Sequence, residues 1–465
     1  MGTRADSIDL LRGLAIVGMV LSGQMLWHSD LPAWLFHAQL PPPDFRFDPS
    51  LPGITWVDLV FPFFLFSMGA AFPLAMRRRL ELKGESTAAV VAGIVQRWAL
   101  LALFAIALAN LRPGMLASLP APIAALMQLA AWGCFGALFL RFERLSAGQN
   151  RLMHGIGLAG LVLLLAGAKW LGGAAVSLHN SDVIILVLAN MALFGSLAWL
   201  CTRRSPLARL GLLALLVALR TGVAVEGSWN EALWNWTPAA WLFRFDYLKY
   251  LCIVLPGTFA GEFFWQRMQR SEERPAARPR YVAGVVLLAA LIVGVNMWGL
   301  FTRHLVATLA TSIAAGLALR ALLRRDTSET GTLNRRLFDA GLFWLLLGLC
   351  FEAYEGGIKK DHATLSYFFV TSGLASAVLV LANALMTDCG VRFGALVKCG
   401  RNPMVAYTAA GFLIMPLLTL AHLAPLLERF AALAPWTGVL RGVAVTAAVM
   451  GVTILFTNKK LFWRT

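Results

Sequence analysis

The chain has 465 residues, of which 59% are hydrophobic and 14% charged, and its formal net charge is +16. Soluble domains carry about 25% charged residues, so these proportions exclude a soluble globular enzyme, a disordered chain and a nucleic-acid module. In a membrane protein an excess of Lys and Arg marks the cytoplasmic loops instead.

A bilayer span needs about 20 apolar residues. Such stretches recur at 8–26, 57–76, 92–111, 119–140, 151–172, 182–201, 206–224, 247–266, 281–299, 304–322, 337–354, 364–386, 404–422 and 436–456. The expected fold is all-α, a polytopic transmembrane helical bundle of about fourteen spans, forming one integral-membrane domain over 1–465. Met1–Ala5 carries one Arg and the following apolar run has no small-residue cleavage site, so the first span is expected to stay in the mature protein. Alternating sides from a cytoplasmic N-terminus places Arg77–Arg79, Lys83, Arg203, Arg204, Arg324, Arg325, Lys459 and Lys460 inside. Most Lys and Arg follow, and both termini come out cytoplasmic. The six Cys show no CxxC pair and no His at metal spacing. They read as buried small hydrophobes, and no metal is expected.

In chain order, Asp9 and Arg12 stand three residues apart at the inner mouth of span one and can pair. They are either a helix-start acid with a snorkelling Arg or part of a cytoplasmic anion or nucleotide site. The long outer loop 27–56 holds His28 and His37, either able to act as a base, and ends at Trp56. Asp58 follows, entering the membrane at the head of a Phe-rich helix. A carboxylate there is either an N-terminal helix acid or a functional group. The outer loop 225–246 interleaves Trp229, Trp234, Trp236 and Trp241 with Asn230, Glu231, Asn235 and Asp246. Aromatic faces beside amides and carboxylates suit a sugar, and a membrane-border aromatic belt is the plainer reading. Outer loop 355–363 carries Lys359 and Lys360 against the charge rule, so each needs a carboxylate or an anionic ligand. His362 beside them titrates near neutrality and can serve as a base. Arg401 and Asn402 open span thirteen from the inside. Asn402 can cap that helix, or the helix amides with Arg401 can hold a phosphate.

Five blocks, SIDLLRG (7–13), TWVDLVFPFFLFSMG (55–69), EGGIKKDHATLSYFF (355–369), GRNPMVAY (400–407) and NKKLFWRT (458–465), occur in the order found in a known family. Together they resemble the heparan-alpha-glucosaminide N-acetyltransferase family, and more closely its bacterial branch, the DUF5009 proteins labelled as N-acetylglucosamine-related transporters. The resemblance implies a ten-helix core with added helices near 151–226 and 281–322. It implies transfer of acetyl from cytoplasmic acetyl-CoA, as acyl donor, to the amine of an amino sugar or a cell-wall sugar on the periplasmic side of a bacterial inner membrane. Arg4, Asp9, Arg12, Arg401 and Asn402 would then serve the CoA. Trp56, Trp236, Trp241, Lys359 and Lys360 would face the sugar. The family's catalytic His precedes an Asp matched here by Asp246, and its place falls near Ala240. The base is therefore sought among His37, Asp58, Asp246 and His362. An LQR pattern of the family is met here by Leu126-Met127-Gln128-Leu129, without the Arg. A sugar transporter and a structural partner of a cell-wall complex are the alternatives. The partners expected are the sugar and the lipid bilayer, with no nucleic acid. Oligomeric state is left open, a homo-oligomer included.

Overall fold

The computed structural model describes residues 5–27, 29–142, 145–172, 176–270 and 279–463. Arg4 and His28, both singled out above, lie outside the described residues. Among the described residues the secondary structure is helical, with two isolated β-bridges. The first half contains α1 (Asp6–Gly23), α2 (Trp56–Leu82), α3 (Thr87–Leu111), α4 (Ala121–Phe139), α5 (Ala147–Gly172), α6 (Val183–Thr202), α7 (Pro206–Gly222) and the short α8 (Trp229–Trp234). The second contains α9 (Leu251–Met268), α10 (Pro279–Phe301), α11 (Leu305–Leu323), α12 (Glu329–Cys350), α13 (Leu365–Asp388), α14 (Gly394–Arg401), α15 (Pro403–Leu420), α16 (Ala424–Ala431) and α17 (Pro435–Asn458).

Each of the fourteen expected spans falls on one of these helices. Ten helices among the described residues are long and apolar enough to cross a membrane. The other four expected spans coincide with α1, α7, α9 and α12. These are short or carry charge within the helix, such as Asp9 and Arg12 in α1, Arg209 in α7, Glu262 in α9 and Asp339 in α12. The chain is an integral membrane protein built as a helical bundle.

Helices in a bilayer gain little from hydrophobic burial against one another, so close backbone contact through small residues matters more. Helices α2 and α9 run parallel at the centre and meet through glycine. A Cβ on Gly257 would stand 2.3 Å from the Phe66 carbonyl oxygen, and one on Gly261 2.1 Å from that of Ala70. Helix α1 crosses α2 antiparallel, with Gly18 against Trp56 and Val60. One polar cluster ties α6, α7 and α9 together. Arg209 Nη2 donates to Glu262 Oε1 at 2.8 Å, and the Trp199 indole donates to the same oxygen at 3.0 Å. Arg209 is fully buried, so this pair must be complete, because a lone buried charge is strongly destabilising.

At the outer end three long connections fold over the helix mouths. In the first, Phe36, Phe45 and Trp27 pack as rings, with centroids 4.7 Å apart for Phe36 and Phe45. This aromatic knot fixes the backbone beside His37. In the last, Arg303 meets Glu352 at 2.5 Å and Arg220 meets Glu355 at 2.7 Å. The Gly53 N–H then donates to the Ile358 carbonyl at 2.7 Å, joining the two connections.

The glycine contact gives a stability test. Gly261→Ala pushes a methyl into backbone that has no rotamer to yield, and is expected to destabilise by about 1–3 kcal/mol. Gly294→Ala, with open space around it, should be neutral or slightly stabilising, since Ala favours helix. Thermal melting in detergent compares the two; equal melting would refute the close α2–α9 contact.

Candidate functional site at the outer helix mouths

The first turn of α2 starts from Thr55, whose Oγ1 accepts from the Val57 N–H at 3.3 Å. Asp58 sits one turn in, fully buried, and its two oxygens have different tasks. Oδ2 accepts the Thr55 N–H at 2.9 Å and the Ala38 N–H at 3.2 Å. That is the capping role expected of an acid at a helix start. Oδ1 faces the other way. It lies 2.5 Å from His37 Nδ1 and 3.7 Å from Lys360 Nζ. The helix-start reading of Asp58 is met by Oδ2, while Oδ1 is left to His37 and Lys360.

His37 is clamped on both sides. Its Nε2 lies 2.7 Å from Asp361 Oδ2. Burial of the imidazole favours its neutral form, but hydrogen bonds to Asp361 and Asp58 outweigh this, and the pKa of His37 is raised above the ordinary 6.5. Asp361 is opposed by burial as well, and His37 and Lys360 together hold it below the usual carboxylate value. Asp361 is the open member of the set: its side chain is 43% exposed, against 9% for His37. The floor is closed by α13, whose Tyr367 hydroxyl donates to the Asp58 carbonyl at 2.7 Å. Tyr250, just before α9, packs edge-on against Phe61 and Phe368 and lies within electrostatic reach of Asp361 and Asp246. Neither Asp361 nor Tyr250 was among the residues singled out from the sequence. Asp361 stood in the quoted KKDH block, next to two residues that were; Tyr250 offered no signal beyond its aromatic character.

The other outer candidates are spread around this centre. Asp246 pairs with Arg244 at 3.1 Å and Lys249 at 3.3 Å. His362 is exposed beside Asp361. Lys359 is half-buried in the same connection. Trp56 packs into the aromatic knot of the first outer loop and against α1. Trp236 is 53% exposed and lies edge-on to Phe243, and Trp241 is half-buried.

The inner candidates form a second group. Arg401 contacts Asp9 at 3.2 Å and Asp6 at 2.6 Å. Arg12 contacts Asp9 at 3.4 Å, and also donates to the Ser67 and Gly400 carbonyls. Asn402 does not cap α15. Its amide donates to the Leu461 carbonyl at 2.8 Å and accepts the Trp463 N–H at 3.2 Å, pinning the chain beyond α17. Gln128 is buried on α4.

A helical bundle with a buried carboxylate–imidazole centre at its outer mouths and an arginine–carboxylate cluster at its inner end defines a polytopic membrane protein with polar sites on both faces. The model of a family described as a domain of unknown function, DUF5009, matches residues 4–264, more than half of the chain. The chain belongs to that family. No curated protein matches it.

The raised His37 pKa has a stability consequence. A group whose pKa is higher folded than unfolded lends stability in full below the unfolded value, and loses it as pH rises through the folded one. The melting temperature in detergent should therefore decline as pH rises above about 6.5, the unfolded imidazole value. His37→Gln should remove that part of the decline, and an identical pH profile in the variant would contradict the clamp.

Proposed function

We propose that the protein is a membrane acetyltransferase of the kind its motif blocks resemble, the heparan-alpha-glucosaminide N-acetyltransferases. In this reading acetyl passes from cytoplasmic acetyl-CoA to an amino sugar on the outer face of a bacterial inner membrane. The observation that carries it is His37, held between Asp58 and Asp361 at the outer mouths, with Arg12 and Arg401 at the opposite end. The family's own His has no counterpart near Ala240, and His37 supplies an imidazole that can take its place.

The chemistry follows from which contacts can open. An amino sugar arrives as an ammonium ion. It competes with His37 for the exposed Asp361 carboxylate, which releases Nε2. Neutral His37 then takes a proton from the ammonium, a general-base step worth typically 10²–10⁴-fold. The imidazolium so formed is stabilised by Asp58 at Nδ1, the orienting role a buried carboxylate plays behind a histidine base. The free amine nitrogen bonds to the acyl carbon, the carbon–sulfur bond breaks and the sulfur leaves as thiolate, while the nitrogen sheds its second proton to water at the open outer mouth. The proton on His37 is available to that thiolate. Lys360 and the Tyr250 hydroxyl are the nearby donors for the developing oxyanion. Trp236, exposed on the outer surface, offers a face to the sugar ring.

The test is acetylation of glucosamine by the detergent-purified chain, followed by mass spectrometry. His37→Ala should lower turnover by about 10²–10⁴-fold. Asp58→Asn should remove turnover and leave CoA affinity nearly unchanged, because Asp58 stands at the outer end. For the wild type, kcat/KM should rise with pH through a midpoint above 6.5, since His37 must lose its proton to act. Sugar uptake into proteoliposomes with no acetylation would overturn this reading in favour of transport.

A further inference from the structure

Leu423, Leu426, Leu427 and Phe430 recur at steps of three, one and three residues and make one apolar face of the short helix α16, with Glu428 and Arg429 off that face. A helix of this pattern lies along a membrane border with its apolar face inward. It is pinned to the start of α17, where the Thr437 hydroxyl donates to the Ala431 carbonyl at 3.2 Å. That start belongs to the outer end of the protein, because Val439 packs against the apolar cluster of Leu31, Leu35 and Phe36. Between α15, α16 and α17 lies a groove of about 460 Å³, and every residue lining it is apolar. Ile414 and Leu418 line it from α15, Leu426 and Phe430 from α16, and Ala444 and Ala448 from α17.

The groove has a charged rim. Arg441 stands one turn before Ala444 and Val445 on the same face of α17, at the outer end of the groove. Its Nη1 donates to both Glu428 oxygens, at 2.8 and 2.7 Å, and its Nη2 donates to the Gln24 carbonyl at 3.1 Å. The Arg441 side chain is 13% exposed and that of Glu428 53%. Glu428 therefore covers the guanidinium and keeps acceptor capacity on its open side, since a carboxylate has about four lone-pair sites. Exposed Arg429 is the next residue. An unfilled apolar groove forfeits dispersion contacts along its lining. A lipid answers both parts at once, its chain matching the lining and its headgroup the rim.

We propose that this groove seats one acyl chain of a phospholipid whose headgroup ends in a primary ammonium, as in phosphatidylethanolamine. The ammonium donates to Glu428, and the phosphate accepts from Arg429. The site stands on the geometry of α15, α16 and α17 and does not depend on acetyl transfer.

Native mass spectrometry of the purified full chain tests it, after exchange into equal amounts of phosphatidylethanolamine and phosphatidylcholine with the same acyl chains. The two lipids share the phosphate, but the quaternary ammonium of phosphatidylcholine has no N–H to donate. Phosphatidylethanolamine adducts should exceed phosphatidylcholine adducts by about three- to tenfold, the scale of a charge-assisted hydrogen bond to a half-exposed group. Ala448→Phe fills the groove and should remove the adducts of both lipids; Ala444→Leu serves if that variant melts early. Glu428→Gln should keep adducts and lose the preference. His37→Ala should bind as the wild type does, so failed acetylation leaves this site standing. Adducts unchanged in both groove-filling variants, equal adducts of the two lipids on the wild type, or a wild-type dimer that Ala448→Phe splits would overturn the proposal, the last in favour of a second copy of this chain.

Discussion

A carboxylate with no exposed surface has to be satisfied completely, and at the outer end of this protein that demand is Asp58. Its oxygens and its backbone carbonyl take partners from three separate stretches of chain: Ala38 and His37 from the first outer connection, Lys360 from the last, and Tyr367 from α13. The two outer connections have no regular hydrogen-bond ladder at Ala38, His37 or Lys360, whereas Tyr367 stands in the first turn of α13. The buried charge gives them a common anchor. A buried pair of this kind adds little net stability compared with an apolar substitute, but losing one partner is strongly destabilising. The arrangement therefore specifies geometry more than it adds stability.

The same logic produces function by asymmetry. Asp58 is closed to solvent and Asp361 is nearly half open, with His37 between them. One carboxylate is fixed and the other can be displaced, so a cationic group arriving from outside meets a ready carboxylate and releases one imidazole nitrogen. At the inner end the arrangement differs. Arg401 is balanced by Asp6 and Asp9, and Arg12 by Asp9 and two carbonyls. The outer face offers a balanced set of charges with one exchangeable contact, and the inner face a set of arginines each held by carboxylates or carbonyls.

Much of the scaffold was legible because hydropathy in a bilayer is a nearly one-dimensional signal. Apolar stretches of span length fell on helices even where the helix itself carries charge, as in α1 and α12. The importance of Asp58 was legible too, since a carboxylate at the head of a Phe-rich helix is costly. The partner of His37 was not, because Asp361 lies 324 residues away and only the folded loops bring them together. Asn402 looked like a helix cap by type and position, and its amide instead holds residues 461 and 463 after α17, a contact no local pattern encodes. Trp56 is half-buried because the first outer loop folds back against it, a packing no local pattern encodes.

The central claim is that His37 is held as a cation between two carboxylates, one of them Asp58. The most direct measurement is an NMR titration of the protein with ¹⁵N-labelled histidine in detergent, with the His37 resonance assigned by its loss in His37→Gln. The account predicts a midpoint above 6.5 in the wild type, and a downward move in Asp58→Asn, which keeps the shape and removes the charge. A midpoint at or below 6.5, unmoved by Asp58→Asn, would contradict it.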